Sequence, residues 1–91
     1  MKIIETPRFK KVYKKLHDNQ RASANAAIDA VIADPNIGVR KVGRLSRIYV
    51  YKFKMLGQLM LLGYEWSTEG EIILTFVDMG THENFYRDLK K

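Results

Sequence analysis

The sequence predicts an α+β fold in which an N-terminal strand and an α-helical hairpin pack on an antiparallel β-sheet meander, with a short C-terminal helix. Two observations predict it. Apolar residues recur at helical spacing in the first third of the chain, and β-branched and aromatic residues dominate three segments between residues 47 and 79. Segregated helices and strands are typical of α+β folds. The 91 residues give room for one core, so we expect a single domain over residues 1–91.

The first helical segment has clear start signals. Residues 2–6 are expected to form a short strand, after which Thr6 suits the N-cap and Pro7 the first helical position. One face of this helix is apolar and contains Phe9, Val12, Tyr13 and Leu16. We expect the helix to end near residues 18–19, which leaves His17 as a surface residue at its C-terminal end.

A second helix is predicted from about residue 20 to residue 33, where alanine is frequent. Pro35 ends it, because proline lacks an amide donor and disfavours helix in the residue before it. The two helices then form an αα-hairpin. Residues 36–46 form a basic connector to the strands.

Three strands are predicted over residues 47–55, 58–66 and 71–79. A tight turn at Leu56-Gly57 joins the first two, and Gly80 is expected to end the third. Residues 81–91 suit a final helix that Thr81 caps and that docks through Phe85 and Leu89.

Composition excludes several classes of protein. The absence of cysteine excludes a disulfide scaffold and a thiolate metal site, and two histidines do not favour a histidine zinc site. We therefore predict no metal and no cofactor. No apolar run is long enough to span a bilayer, and the N-terminus lacks the profile of a signal peptide. We expect a cytoplasmic protein with no membrane partner.

The charge is strongly basic and uneven. The chain carries a net charge of +6, with 13 basic and 4 acidic residues in residues 1–56 but 3 basic and 6 acidic residues in residues 57–91. A small basic domain favours a polyanionic partner such as nucleic acid, whereas the alternative is a basic surface that serves only solubility.

A lysine pair lies on the first of the three predicted strands. Since side chains alternate across a sheet, Lys52 and Lys54 point the same way, and Tyr51 and Phe53 point toward the helices. Two cations one strand repeat apart suit phosphate binding. The alternative is a solvated strand face on which lysine blocks edge pairing.

A histidine and a tyrosine share one face of the predicted final helix. His82 and Tyr86 are four residues apart, and histidine can transfer protons at neutral pH while tyrosine can stack on a base. An acid–base residue beside an aromatic ring, near a lysine pair, is what RNA strand cleavage requires. The alternative is that His82 caps the helix and Tyr86 packs.

These features together resemble the RelE/ParE superfamily of bacterial type II toxins over nearly the whole chain. The resemblance rests first on the basic helical hairpin ending at Asp34-Pro35 and on the connector Lys41-Val42-Gly43-Arg44-Leu45. It rests further on the aromatic and basic strand, the β-hairpin beginning at Gly57 and the segment Gly80-Thr81-His82-Glu83-Asn84-Phe85-Tyr86. The last segment is similar to that of YafQ-type members.

The resemblance implies two alternative activities. RelE-, YoeB- and YafQ-like members cut mRNA in the ribosomal decoding site without a metal, whereas ParE-like members inhibit DNA gyrase. Either activity implies a cognate antitoxin as partner. The first makes ribosome and mRNA further partners, and the second makes DNA gyrase one.

The resemblance also implies roles for single residues. Lys52 and Lys54 match phosphate-binding lysines, His82 matches a candidate general acid or base, and Tyr86 matches an aromatic that stacks near the cut nucleotide. The cations expected to contact RNA are Arg40, Lys41, Arg44, Arg47 and Arg87. The chain departs from the pattern at Gln58-Leu59-Met60 and at Asp78-Met79, where cations are common in cleaving members.

Overall fold

A computed structural model describes residues 1–41 and 47–89, with side chains through Arg87. Within these residues the sheet has five strands in the order β1-β5-β4-β3-β2, in which β1 runs parallel to β5 and all other neighbours are antiparallel. The elements along the chain are β1 (Lys2–Glu5), α1 (Pro7–Lys14), α2 (Asp18–Ala33), a 3₁₀ turn (Pro35–Ile37), β2 (Val39–Arg40), β3 (Tyr49–Met55), β4 (Gln58–Ser67), β5 (Ile73–Thr81) and α3 (His82–Leu89). The predicted fold class is confirmed.

The helical hairpin begins at the predicted residues, but its first helix ends earlier than predicted. The Thr6 hydroxyl accepts a hydrogen bond from the Phe9 amide at 3.2 Å, and Pro7 occupies the first turn of α1. The expected end of α1 near residues 18–19 is wrong, because α1 ends at Lys14 and α2 already begins at Asp18. His17 is therefore the N-cap of α2, and its amide donates to the Gln20 side chain at 2.8 Å.

Two expectations about the strands are also wrong. The connector contains a short strand, β2, which pairs with Tyr49 and Val50 of β3. Gly80 does not end the third strand, since β5 continues to Thr81 and Gly80 pairs with Leu61. The turn at Leu56-Gly57 is confirmed, and both of its residues have positive φ.

The larger core lies between the sheet and the helical hairpin. It contains the buried residues Phe9, Ala24, Ala27, Val31, Met55, Met60, Leu62, Tyr64, Leu74, Phe76 and Met79. At its centre Tyr64 is fully buried, and its hydroxyl donates to the Pro35 carbonyl at 2.6 Å and accepts from the Gly38 amide at 2.9 Å. Burial raises the pKa of the Tyr64 hydroxyl above its ordinary value of 10.0. Tyr64 thus ties the segment after α2 to the sheet.

A smaller core lies on the opposite face of the sheet, under α3. Its buried members are Ile48, Val50, Leu61 and Phe85, with Val77 and Tyr86 packed against them. Phe85 lies over Gly63, where an added Cβ would approach the ring to 2.5 Å. The missing side chain at Gly63 therefore makes the space into which α3 docks.

Candidate functional site

We call the side of the sheet under the helical hairpin the hairpin face and the side under α3 the α3 face. The lysine pair lies on the α3 face. Lys52 and Lys54 are exposed, while Tyr51 and Phe53 pack against the hairpin core with their rings 6.4 Å apart. This is the alternation that the sequence predicts. The cross-strand partner of Lys52 is Leu61, a member of the small core under α3, so the ammonium groups share their face with that helix.

The β-sheet also sets the separation between the lysines and α3. Lys52 pairs with Leu61 on β4, and Leu61 pairs with Gly80 on β5. Two strand spacings put the backbones of Lys52 and Gly80 about 10 Å apart. The helix begins two residues after Gly80, at His82. Long lysine side chains and a ligand of nucleotide size can fill this interval.

His82 and Tyr86 lie together at the start of α3. His82 is exposed, and its ring centroid is 5.0 Å from that of Tyr86 with the planes 67° apart. Tyr86 is partly buried and meets Phe85 edge-on at 5.3 Å. The cap of the helix is Thr81, whose hydroxyl lies 3.4 Å from the Asn84 amide. The imidazole is therefore not the group that accepts this capping bond.

Lys41 approaches Tyr86 from the edge of the sheet. Its amide donates to the Ile48 carbonyl at 2.9 Å, which fixes its backbone beside β3. Its Nζ lies 5.3 Å from the centroid of the Tyr86 ring, a cation–π distance. Sequence reasoning grouped Lys41 only with the general RNA contacts, whereas the structure brings it to the His82–Tyr86 pair.

The four described cations among those expected to contact RNA do not form one surface. Lys41 lies on the α3 face, and Arg87 is exposed on α3, where it donates to Asn84 at 2.7 Å. Arg40 and Arg47 line a groove that includes Tyr49, a residue of the hairpin face. Arg44 lies outside the described residues.

Leu59 and Asp78 lie in the two stretches where the chain departs from the pattern of cleaving members. Leu59, the cross-strand partner of Lys54, is 37% exposed and apolar at a position beside the lysine pair. Asp78 is buried, and its carboxylate accepts from the Met79 amide at 2.8 Å and pairs with Arg8 at 3.1 Å. This ion pair ties α1 to β5.

The site can therefore bind phosphate and stack on a base. Three ammonium groups, those of Lys41, Lys52 and Lys54, belong to the α3 face, together with an exposed imidazole and an aromatic ring. Within residues 1–41 and 47–89 no group of three or more histidines or carboxylates could hold a metal ion.

Comparison with known proteins agrees with this architecture. The family model described as the ParE-like toxin of type II bacterial toxin–antitoxin systems matches residues 3–90. The chain belongs to this family. It is thus a toxin of the RelE/ParE kind, as the sequence resemblance implied. None of the curated proteins compared with the toxin matches it at a significant level.

Solved structures show the same fold at low identity. The toxin is similar to a chain of the intact RelBE toxin–antitoxin complex of E. coli, with 19% identity, a TM-score of 0.67 and coverage of 88% of this chain and 94% of that one. It is also similar to the isolated E. coli RelE toxin, with 18% identity, a TM-score of 0.66 and coverage of 98% and 95%. No helix in the described part of the toxin is long and apolar enough to cross a membrane.

Proposed function

We propose that this toxin is a ribosome-dependent mRNA endonuclease that inhibits translation and cuts without a metal ion. The observation that carries the proposal is the shared face of the sheet. Lys52 and Lys54 point to the side on which α3 presents His82 and Tyr86. If the two lysines served only as a solvated strand face, a proton-transfer group and a base-stacking ring on the same side of the sheet would have no role.

Each residue has one role in the proposed reaction. The ribose 2′-oxygen loses its proton and bonds to the neighbouring phosphorus, while the bond from phosphorus to the 5′-oxygen breaks and that oxygen gains a proton. We assign one of these proton transfers to His82, and water completes the other. Lys52 and Lys54 stabilise the charge on the crowded phosphate, and Tyr86 stacks on the base. The products are a 2′,3′-cyclic phosphate and a free 5′-hydroxyl.

The ribosome and mRNA are the proposed partners, along with a cognate antitoxin. The similar RelE toxin of E. coli has been solved as the RelBE toxin–antitoxin complex. The strongly basic first 56 residues of this toxin suit ribosomal RNA or an acidic antitoxin segment, because complementary charge speeds association and sets register. We place the protein in the cytoplasm, where the ribosome is.

The decisive experiment compares the two histidines of the chain. The toxin, its His82→Ala variant and its His17→Ala variant are expressed separately, and growth and the 5′ ends of cellular mRNA are mapped. The toxin and His17→Ala should arrest growth and create new 5′ ends within codons. His82→Ala should do neither, because a general acid–base group contributes about 10²–10⁴-fold to the rate.

His17 is a matched control because it is exposed like His82 and lies at the N-terminal end of a helix. His17 directly precedes α2, and His82 is the first residue of α3. Both variants are checked for folding by circular dichroism and urea denaturation. Growth arrest and new mRNA ends that persist in folded His82→Ala would contradict the proposed role of the imidazole.

Inhibition of DNA gyrase is the second candidate function. Two observations favour it: apolar Leu59 stands beside Lys54, and Asp78 is buried against Arg8 in the stretch where cleaving members commonly carry cations. Purified gyrase should then lose supercoiling activity when the toxin is added, while mRNA ends stay unchanged. Intact gyrase activity together with new mRNA ends excludes this candidate.

A further inference from the structure

A groove lies at the end of the sheet where β2, β3 and β4 meet. Its volume is about 560 Å³, within the usual range for small-molecule sites. The described residues that line it are Arg40, Arg47, Tyr49, Trp66, Ser67 and Glu69. We call it the arginine–aromatic groove. None of its described lining residues belongs to the proposed catalytic set of Lys52, Lys54, His82 and Tyr86.

The groove lies on the hairpin face of the sheet, away from the proposed catalytic residues. Tyr49 and Trp66 both pack against the core under the helical hairpin, and Arg40 is the cross-strand partner of Tyr49. The neighbouring residue Lys41 instead reaches Tyr86 on the α3 face. The connector therefore supplies cations to two separate sites.

Two aromatic rings form a corner in the groove. The centroids of Tyr49 and Trp66 are 6.0 Å apart and their planes differ by 64°. Tyr49 is itself held by stacking on buried Tyr64 at 5.6 Å. Among the described residues the buried Trp66 Nε1 has no hydrogen-bond partner. A rigid, partly exposed aromatic corner suits a planar ligand such as a nucleobase.

The polar lining suits a purine nucleotide that carries donors on its base and charge on its phosphate. Guanidinium groups bind phosphate in a planar, bidentate manner, and Arg40 and Arg47 supply two of them. Glu69 supplies a carboxylate, which offers two acceptor oxygens and no donor. Guanine is the base whose Watson–Crick edge presents two adjacent donors, at N1 and N2, to such a group.

We propose that the arginine–aromatic groove binds a guanosine nucleotide, with the base on the Tyr49–Trp66 corner, its edge on Glu69 and its phosphate on Arg40 and Arg47. The chemistry is the same for a free nucleotide and for a guanosine within single-stranded RNA. This inference goes beyond the proposed function, and its test is an equilibrium measurement that needs neither cleavage nor the ribosome.

The single tryptophan of the chain reports on the groove directly. Trp66 fluorescence is titrated in the purified full chain with 5′-GMP, 5′-AMP and 5′-UMP, with guanosine, and with inorganic phosphate. We expect saturable quenching by GMP, weaker binding of AMP and UMP, and no saturable change with phosphate alone. Single-stranded oligoribonucleotides with and without guanosine distinguish the RNA source, since the first should compete with GMP if the groove accepts guanosine within a strand.

Substitutions separate recognition of the base from recognition of the phosphate. Glu69→Gln should reduce the preference for GMP over AMP about tenfold, as expected when one bidentate contact to a base edge is lost. Arg47→Ala should weaken GMP binding several-fold but leave guanosine binding unchanged. Glu71→Gln is the matched control, because Glu71 is exposed near the same turn and does not line the groove.

Several results would overturn the proposal. These are no saturable response to GMP, equal affinity for GMP and AMP, quenching by phosphate alone, or loss of binding in Glu71→Gln equal to that in Glu69→Gln. Saturable binding of an acidic peptide with no response to GMP would identify the groove as a protein-docking site instead. None of these results depends on whether His82→Ala abolishes mRNA cleavage, so the two proposals fail independently.

Discussion

The two faces of the sheet differ in what they bury and what they expose. Among the residues that the structure describes, the hairpin face carries a core of 11 buried residues that spans α1, α2 and three strands, whereas the α3 face carries four buried residues under one short helix. Lys52 and Lys54 stand exposed beside the smaller core, while Tyr51 and Phe53 on the same strand are packed into the larger one. One strand thus serves stability on one side and presents charge on the other.

This difference predicts whether a substitution should change the free energy of unfolding, the toxicity or both. Removing apolar volume from the hairpin face should lower the free energy of unfolding, and removing cations from the α3 face should lower toxicity with little effect on folding. Residues that join α3 to the sheet should affect both. The predictions test this division from the largest expected loss of stability to the smallest.

Phe76→Ala should cause the largest loss. Phe76 is 1% exposed and stacks on Phe9 at 5.3 Å, so truncation leaves a cavity between β5 and α1. We expect a loss of about 3–5 kcal/mol, a large share of the stability of a small domain. Urea denaturation followed by circular dichroism measures it. A loss below about 1 kcal/mol would contradict the idea that the hairpin face holds the fold together.

Gly63→Ala should disturb the packing of α3 on the sheet and so lower both stability and toxicity. The added Cβ would lie 2.5 Å from Cζ of Phe85, and that ring is buried, so α3 must shift. Overpacking of this kind costs about 1–3 kcal/mol and should also reduce growth arrest, because α3 carries His82 and Tyr86. Gly80→Ala is the control, since the nearest atom to its Cβ is 3.9 Å away. Equal effects of the two variants would exclude the proposed packing of Phe85 on Gly63.

Tyr64→Phe should cost about 1–2 kcal/mol at neutral pH, because it leaves the Pro35 carbonyl and the Gly38 amide without their buried partner. Because the pKa of Tyr64 is raised in the folded chain, its contribution is fully present below the unfolded pKa of 10.0 and is lost as the pH rises through the folded value. Urea denaturation between pH 7 and strongly alkaline pH should therefore show the difference between the two proteins shrinking. A difference that grows with pH would contradict this sign.

Lys52→Ala and Lys54→Ala should have the smallest effect on stability and a large one on function. Both side chains are exposed, so we expect changes within about 0.5 kcal/mol, while growth arrest and new mRNA ends should be strongly reduced. Lys2→Ala removes an exposed lysine from β1 and should leave both properties unchanged. If Lys2→Ala reduced toxicity as much as Lys52→Ala, net charge and not the lysine pair would be responsible.

The elements that local patterns specify were predicted well. The Thr6 cap, the apolar face of α1 and the alternation around Lys52 depend on neighbouring residues, and such short-range signals can be read directly from the sequence. The orientation of the lysine pair followed from the same alternation. The placement of His82 and Tyr86 on one helix face followed from their spacing.

The parts that were missed depend on distant residues. Two-residue β2 has no pattern of its own and exists because it pairs with β3. Gly80 normally weakens a strand, but here the strand pairing with Leu61 outweighs that preference. His17 was misassigned because a break between two adjacent helices leaves little local signal. The contact of Lys41 with Tyr86 joins a connector to the last helix, which no local pattern encodes.

The parallel pairing of β1 with β5 has a consequence for the timing of synthesis. Ile3 lies beside Leu74 in the sheet, and the Thr6 hydroxyl bonds to the carbonyls of Phe76 and Val77. β1 is therefore synthesised about 70 residues before the strand that it pairs with, at elongation rates of about 5–20 residues per second. The pairing cannot form until β5 has been synthesised, and closing the intervening loop adds an entropic cost that grows slowly with its length. The nascent toxin thus completes its fold only after β5 has left the ribosome, which gives a cognate antitoxin an interval in which to meet an unfinished chain.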